Sequence, residues 1–244
     1  MVVAANFTEA KKGRYLLPEY PAVYLETHIT NLVGDFRDDG VPEHQRCGQA
    51  LFADYGPGIA LTHAHPVDQW QIYLEGNARL TRKPVAPVVI QYTDEWVPYG
   101  PIEVEPEGFS LLALWPRPNI ETYEMPKDVA RIRQELRKKT HRVHFHQIDV
   151  LDTAPSEFAA TTLIEDGDIW ARRWQLPPGA SFETPSAANS GGQFYIPLSG
   201  TFVYAEQEYP RWSTIYVGRE DRPITLRAGS AGSDVIGVQF RPQH

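Results

Sequence analysis

The stretch that decides the fold reads Gly58-Ile-Ala-Leu-Thr-His63-Ala-His65-Pro-Val-Asp-Gln69-Trp-Gln-Ile-Tyr-Leu-Glu-Gly76. Residues two apart on a strand project from the same face, so His63 and His65 point together. The turn residues Pro66 to Asp68 then return the chain on an adjacent strand beginning at Gln69. Three donors can converge on one point. Two neutral imidazoles and one oxygen donor suit a divalent first-row metal such as Fe, Mn, Ni, Co or Zn.

Outward from this stretch, turn signals recur every eight to twelve residues: Gly34, Asp38-Asp39-Gly40, Gly56-Pro57-Gly58, Glu75-Gly76-Asn77, Pro98-Tyr99-Gly100 and Pro106-Glu107-Gly108. Between them lie strand-like runs at Gln49 to Tyr55, Gly58 to His65, Gln69 to Leu74, Val88 to Tyr92 and Phe109 to Trp115. That spacing is the mark of a β-sandwich or barrel. One segment departs from it. Met125 to Lys139 carries Pro126 near a helix start, Val129, Ile132 and Leu136 at helical spacing, and cations toward its end.

The halves on either side of this helix share landmarks in the same order. Gly58, then Gln69 with Gly76 seven positions on, then Pro101-Ile-Glu103 and a closing Leu114-Trp-Pro, are answered by Gly179, Gln193 with Gly200, Pro223-Ile-Thr225 and Gln239-Phe-Arg-Pro242. The order favours two copies of one β-unit with the helix as connector. The expected organisation is a first barrel over 1–124, a linker helix over 125–140 and a second barrel over 141–244.

Composition agrees and removes other classes. The chain has 244 residues, 21 Pro and 18 Gly, with 31 acidic residues against 23 basic ones. So much Pro and Gly leaves little room for long helices. No run is long and apolar enough to span a membrane, and Met1 to Gly13 lacks the apolar core of a signal peptide, so a cytoplasmic location is expected. A lone Cys47 makes no internal disulfide and reads as a small core residue. The cations between Lys127 and Arg142 read as a solvated helix face rather than a nucleic-acid surface, because no recognition motif accompanies them.

The stretch Gly58 to Gly76 resembles the first motif of the cupin superfamily, Gly-x5-His-x-His-x3,4-Glu-x6-Gly. His63, His65 and Gly76 are in place, Gly58 is one residue closer than usual, and Gln69 stands where the family has glutamate. The second cupin motif, Pro-x-Gly-x2-His, resembles Pro98-Tyr-Gly100-Pro-Ile-Glu103, with Glu103 in the histidine position. The first half is also similar to the cupin domain of ChrR-type anti-sigma factors. The resemblance implies an all-β bicupin of two double-stranded β-helix (jelly-roll) barrels joined by a short helix. It implies a divalent metal held by His63, His65, Gln69 and Glu103, and a small-molecule substrate bound at the barrel mouth. Glu103, if not a ligand, becomes a general base, and Tyr73 an inward pocket residue. In the second half the matching positions are Thr184, Ser186 and Thr225, with only Gln193 left of a ligand set, so no metal is expected there. The implied activity is that of a metal-dependent enzyme, with a non-haem dioxygenase ahead of a lyase or isomerase. The competing class is a non-catalytic sensor, or a barrel whose site has decayed so that Gln69 and Glu103 hydrogen-bond the histidines. A homodimer, with no nucleic-acid or membrane partner, completes the expectation.

Overall fold

A computed structural model describes residues 2–17, 23–34, 47–85, 87–119, 121–150 and 153–242. The turn expected at Asp38-Asp39-Gly40 lies outside them. The fold is β throughout, with two large antiparallel sheets, one built mainly from each half of the chain. In the first, Gln69–Leu80 lies between Val89–Thr93 and Ile102–Trp115, followed by Gln49–Tyr55 and Thr27–Val33. In the second, Gln193–Tyr204 lies between Thr214–Val217 and Thr225–Gln239, followed by Ile169–Leu176 and Ala159–Asp166.

The repeat is exact in register across three strands. Gln69 pairs with Thr93 and Gly76 with Phe109, while Gln193 pairs with Val217 and Gly200 with Ser233. Every partner is displaced by 124 residues (69 to 193, 93 to 217, 109 to 233). Two expected turns prove to be bends inside long strands. Gly76 and Gly108 face one another where the register shifts between Val104 and Phe109. A methyl group on Gly76 would sit 2.1 Å from the Gly108 carbonyl oxygen, and one on Gly200 the same 2.1 Å from Gly232. Both sites have positive φ, so glycine lets two strands kink together and close each barrel. The register also corrects the sequence match. Glu103 pairs with Arg79 as Arg227 pairs with Val203, so Arg227, not Thr225, is the counterpart of Glu103. The slip of two residues preserves strand faces, which is why the sequence pattern did not expose it.

Alternation assigns the side chains of these strands to two different cores. On Gln69–Leu80, Trp70, Ile72 and Leu74 face the second sheet, where Phe194, Ile196 and Leu198 meet them in one shared core. Trp70 also donates its Nε1–H to the Gln239 carbonyl at 3.1 Å, across the junction. The opposite face, with Tyr73, fills the first barrel beside Leu51, Ala60 and Trp115. The second barrel is packed by Trp174, Phe182, Tyr195 and Phe202.

The expected linker helix spans only Val129–Leu136, preceded by turns from 125, and it buries Ile132 alone; a second short α-helix covers Phe7–Ala10. Pairing moves two segments across the expected boundaries. Val3–Ala5 joins the second sheet through Thr214–Val217, and Val143–Gln147 joins the first through Val89–Thr93. Among the described residues no helix is long and apolar enough to cross a membrane.

Candidate functional site in the first barrel

A cavity of about 70 Å³ opens into the first barrel. Its polar wall is His63, His65, Gln71, Tyr99 and Asn119 beside Trp115, and the rest is chiefly aliphatic. The two histidines sit on a short irregular segment, where His63–Ala64 pairs with Tyr123–Glu124 and His63 exchanges backbone hydrogen bonds with Tyr99. Both side chains are buried, and their rings meet edge to face at 5.2 Å.

Backbone carbonyls set the tautomers. His63 Nδ1 lies 2.6 Å from the Leu61 oxygen and His65 Nδ1 lies 2.8 Å from the Glu121 oxygen, so each Nδ1 carries the proton and donates. Each Nε2 is left with its lone pair, the arrangement found in metal-binding imidazoles. Burial pushes both groups down, His65 to about 3 with the neighbouring His63 adding to the effect, so both rings are neutral. At His63 the lone pair accepts from the Tyr99 hydroxyl at 2.9 Å. Among the described residues every hydrogen bond to the His65 ring is at Nδ1, which leaves its Nε2 for a ligand.

Behind Tyr99 runs a buried relay. Gln71 Nε2 donates to the Tyr99 oxygen at 3.2 Å, the Tyr73 hydroxyl lies 3.0 Å from Gln71 Oε1 and donates to Gln91 Oε1 at 2.5 Å, and Gln91 donates to Thr93 at 2.8 Å. Tyr73 therefore sits one layer away from the cavity and fixes the Gln71 amide; burial raises its hydroxyl well above the ordinary tyrosine range. Its expected place as a pocket residue passes to Gln71 and Tyr99.

Glu103 is corrected outright. It is exposed, between Ile102 and Val104, whose side chains are 4% and 8% exposed inside the barrel, so strand alternation turns the carboxylate to solvent. It is not brought to the histidines. Gln69 is buried on the inward face, with Oε1 enclosed and lacking a hydrogen-bond partner. Of the expected donors His63 and His65 line the cavity and Gln69 is not among its lining residues; all three are neutral, and no group of three or more His, Cys, Asp or Glu suited to a metal occurs among the described residues. Trp115 also lines the cavity, whereas Trp70 and Tyr92 belong to the core between barrels and Trp96 packs against Tyr123 at a 47° tilt. Tyr99, Gln71 and Asn119 were not among the expected site residues. Alternation from Gln69 through Gln71 was the available signal for one of them, and the Pro98-Tyr-Gly100 motif for another.

The two-barrel arrangement has solved counterparts. Bacterial pirin YhhW from Escherichia coli, in complex with nickel(II), superposes with a TM-score of 0.59 over 100% of both chains at 12% identity. The fold is that of a bicupin. Oxalate decarboxylase from Bacillus subtilis matches all of this chain and 78% of its own at 15% identity and a TM-score of 0.58. A candidate dioxygenase from Nostoc punctiforme matches 99% of this chain and 83% of its own at 9% identity and a TM-score of 0.64. No family model and no curated protein matches the sequence.

Proposed function

We propose that this chain is a metal-dependent bicupin enzyme that binds a small organic molecule in its first barrel, with oxygenation as the reaction class. The carrying observation is the pair of buried imidazoles whose Nδ1–H groups are fixed on the Leu61 and Glu121 carbonyls, which commits each Nε2 to the cavity side. His63 and His65 would hold the ion, and the enclosed, unpartnered Oε1 of Gln69 supports its place as the third donor. A neutral donor set leaves the charge of a bound cation uncompensated, so affinity is expected to be modest and to rise with an anionic co-ligand. When bound, the ion would polarise an oxygen substituent of the substrate or, as Fe(II), bind dioxygen. Tyr99 is placed to donate a proton at the same spot, and the aliphatic wall excludes water. Nickel(II) in pirin and Mn(II) in oxalate decarboxylase are supporting context from proteins of the same fold.

A second reading, non-catalytic binding without metal, is favoured by the Tyr99 hydrogen bond that already occupies His63 Nε2. Metal analysis of protein purified without chelator separates the two. Stoichiometric Fe, Mn, Ni, Co or Zn that disappears in a His63→Ala, His65→Ala double variant supports the enzyme, as does oxygen uptake with Fe(II) and a panel of diketones and hydroxylated rings. A metal-free protein that takes up none of these ions on titration overturns it.

A further inference from the structure

Trp115 and His65 bring complementary polar atoms to the cavity wall. Trp115 lines the cavity at 6% exposure, and its Nε1–H is enclosed without an acceptor. A buried donor left without an acceptor costs free energy that a ligand can recover. His65 offers the opposite group, an Nε2 lone pair, since its Nδ1 proton is spent on the Glu121 carbonyl. The two rings pack edge to face with centroids 5.9 Å apart. A donor without an acceptor and a ring nitrogen with a lone pair thus belong to adjacent rings of one wall.

Among the described residues no Asp, Glu, Lys or Arg lines the cavity, and Leu51, Ala60, Ile102 and Ala113 add apolar surface to it. An anionic head group would therefore be buried without a cation. A carbonyl would satisfy Trp115 and leave His65 unpaired. A hydroxyl both accepts and donates.

We propose that the cavity takes an uncharged, largely apolar molecule through a single hydroxyl group, which accepts from Trp115 Nε1–H and donates to His65 Nε2. This rests on the small-molecule part of the function proposed above and not on the metal. The hydroxyl occupies the lone pair that a metal would need on His65, so binding is strongest in metal-free protein.

The test is calorimetric titration of chelator-treated protein with 2-naphthol, naphthalene and 2-naphthoate, three probes with one ring system and different heads. 2-Naphthol is expected to bind at least about tenfold more tightly than either of the others, and Trp115→Phe to weaken 2-naphthol by about three- to tenfold, the range of one hydrogen bond. Equal binding of the three probes, tighter binding of 2-naphthoate, or no binding of 2-naphthol overturns the assignment; so does 2-naphthol binding unchanged in a folded Trp115→Phe. Should that variant not fold, the probe series on the unaltered chain decides alone. The two readings fail separately. Metal uptake with no 2-naphthol binding in chelated protein leaves the metal site and removes this one, whereas 2-naphthol binding with no metal uptake does the reverse.

Discussion

The two barrels share a backbone and differ in what they enclose. At the position paired with residue 102 the first barrel has Ala60; at the corresponding position, paired with 226, the second has Phe182. At the position paired with 111 the first has Ala53, and at the one paired with 235 the second has Trp174. Phe182 and Trp174 stack at 4.5 Å and 13° and close the second interior, whereas the small Ala60 lines the cavity in the first. Gln71 and Tyr195 differ in the same way, an amide that hydrogen-bonds Tyr99 against a ring that packs on Trp174. Whether such a barrel is a site or a strut is decided by inward volume, not by topology.

The largest expected effect follows from opening the solid barrel. Phe182→Ala should cost about 3–5 kcal/mol, the range for a buried aromatic truncated in a close-packed core, read by denaturant unfolding. Second is the joint between barrels. Arg241 donates to Asp68 at 2.6 and 2.8 Å, and Asp68 is 1% exposed in the turn between His65 and Gln69. Arg241→Met leaves that carboxylate buried without its guanidinium, with a loss of about 3 kcal/mol expected in the same assay. Filling the open barrel is milder: Ala60→Phe should cost about 1–3 kcal/mol while abolishing 2-naphthol binding, and retained binding would break the volume argument.

Acid should distinguish the barrels too. Both imidazoles are depressed below the free value of 6.5 in the folded chain, His65 to about 3, so from there up to 6.5 the unfolded state binds more protons. Chelated protein should lose stability as pH falls from 6.5 toward 3. Hydrogen exchange should show the Gln69–Leu80 strand opening before Gln193–Tyr204, and simultaneous opening would count against a local cause. The smallest effect belongs to Glu103→Gln, which should shift stability by under about 0.5 kcal/mol and leave metal content unaltered, as befits a solvent-facing side chain.

Much of this contrast was legible in the sequence. His-x-His at strand spacing, Gln69 with Gly76 behind it, and their echo in Gln193 and Gly200 carried the bicupin reading, because period-two alternation and obligatory glycines are local properties. Glu103 failed for a reason that is also local. A motif match fixes order along the chain, whereas the face a side chain takes depends on strand phase, and Ile102 and Val104 claim the interior. Gly76 and Gly108 read as turns because a bulge and a turn ask for the same positive φ. Asn119 reaches the cavity through contacts between distant segments, which no window of sequence displays.

The exchange of Val3–Ala5 and Val143–Gln147 between sheets bears on how the molecule is assembled and dismantled. During synthesis Val3–Ala5 must wait about two hundred residues for Thr214–Val217, so the second sheet gains an edge strand only when nearly all of the chain exists. A cut in the helix would strip Val89–Thr93 of its outer neighbour and carry Val3–Ala5 away from its own. Each product would expose an unpaired edge, and the halves are expected to aggregate apart yet to recover when mixed.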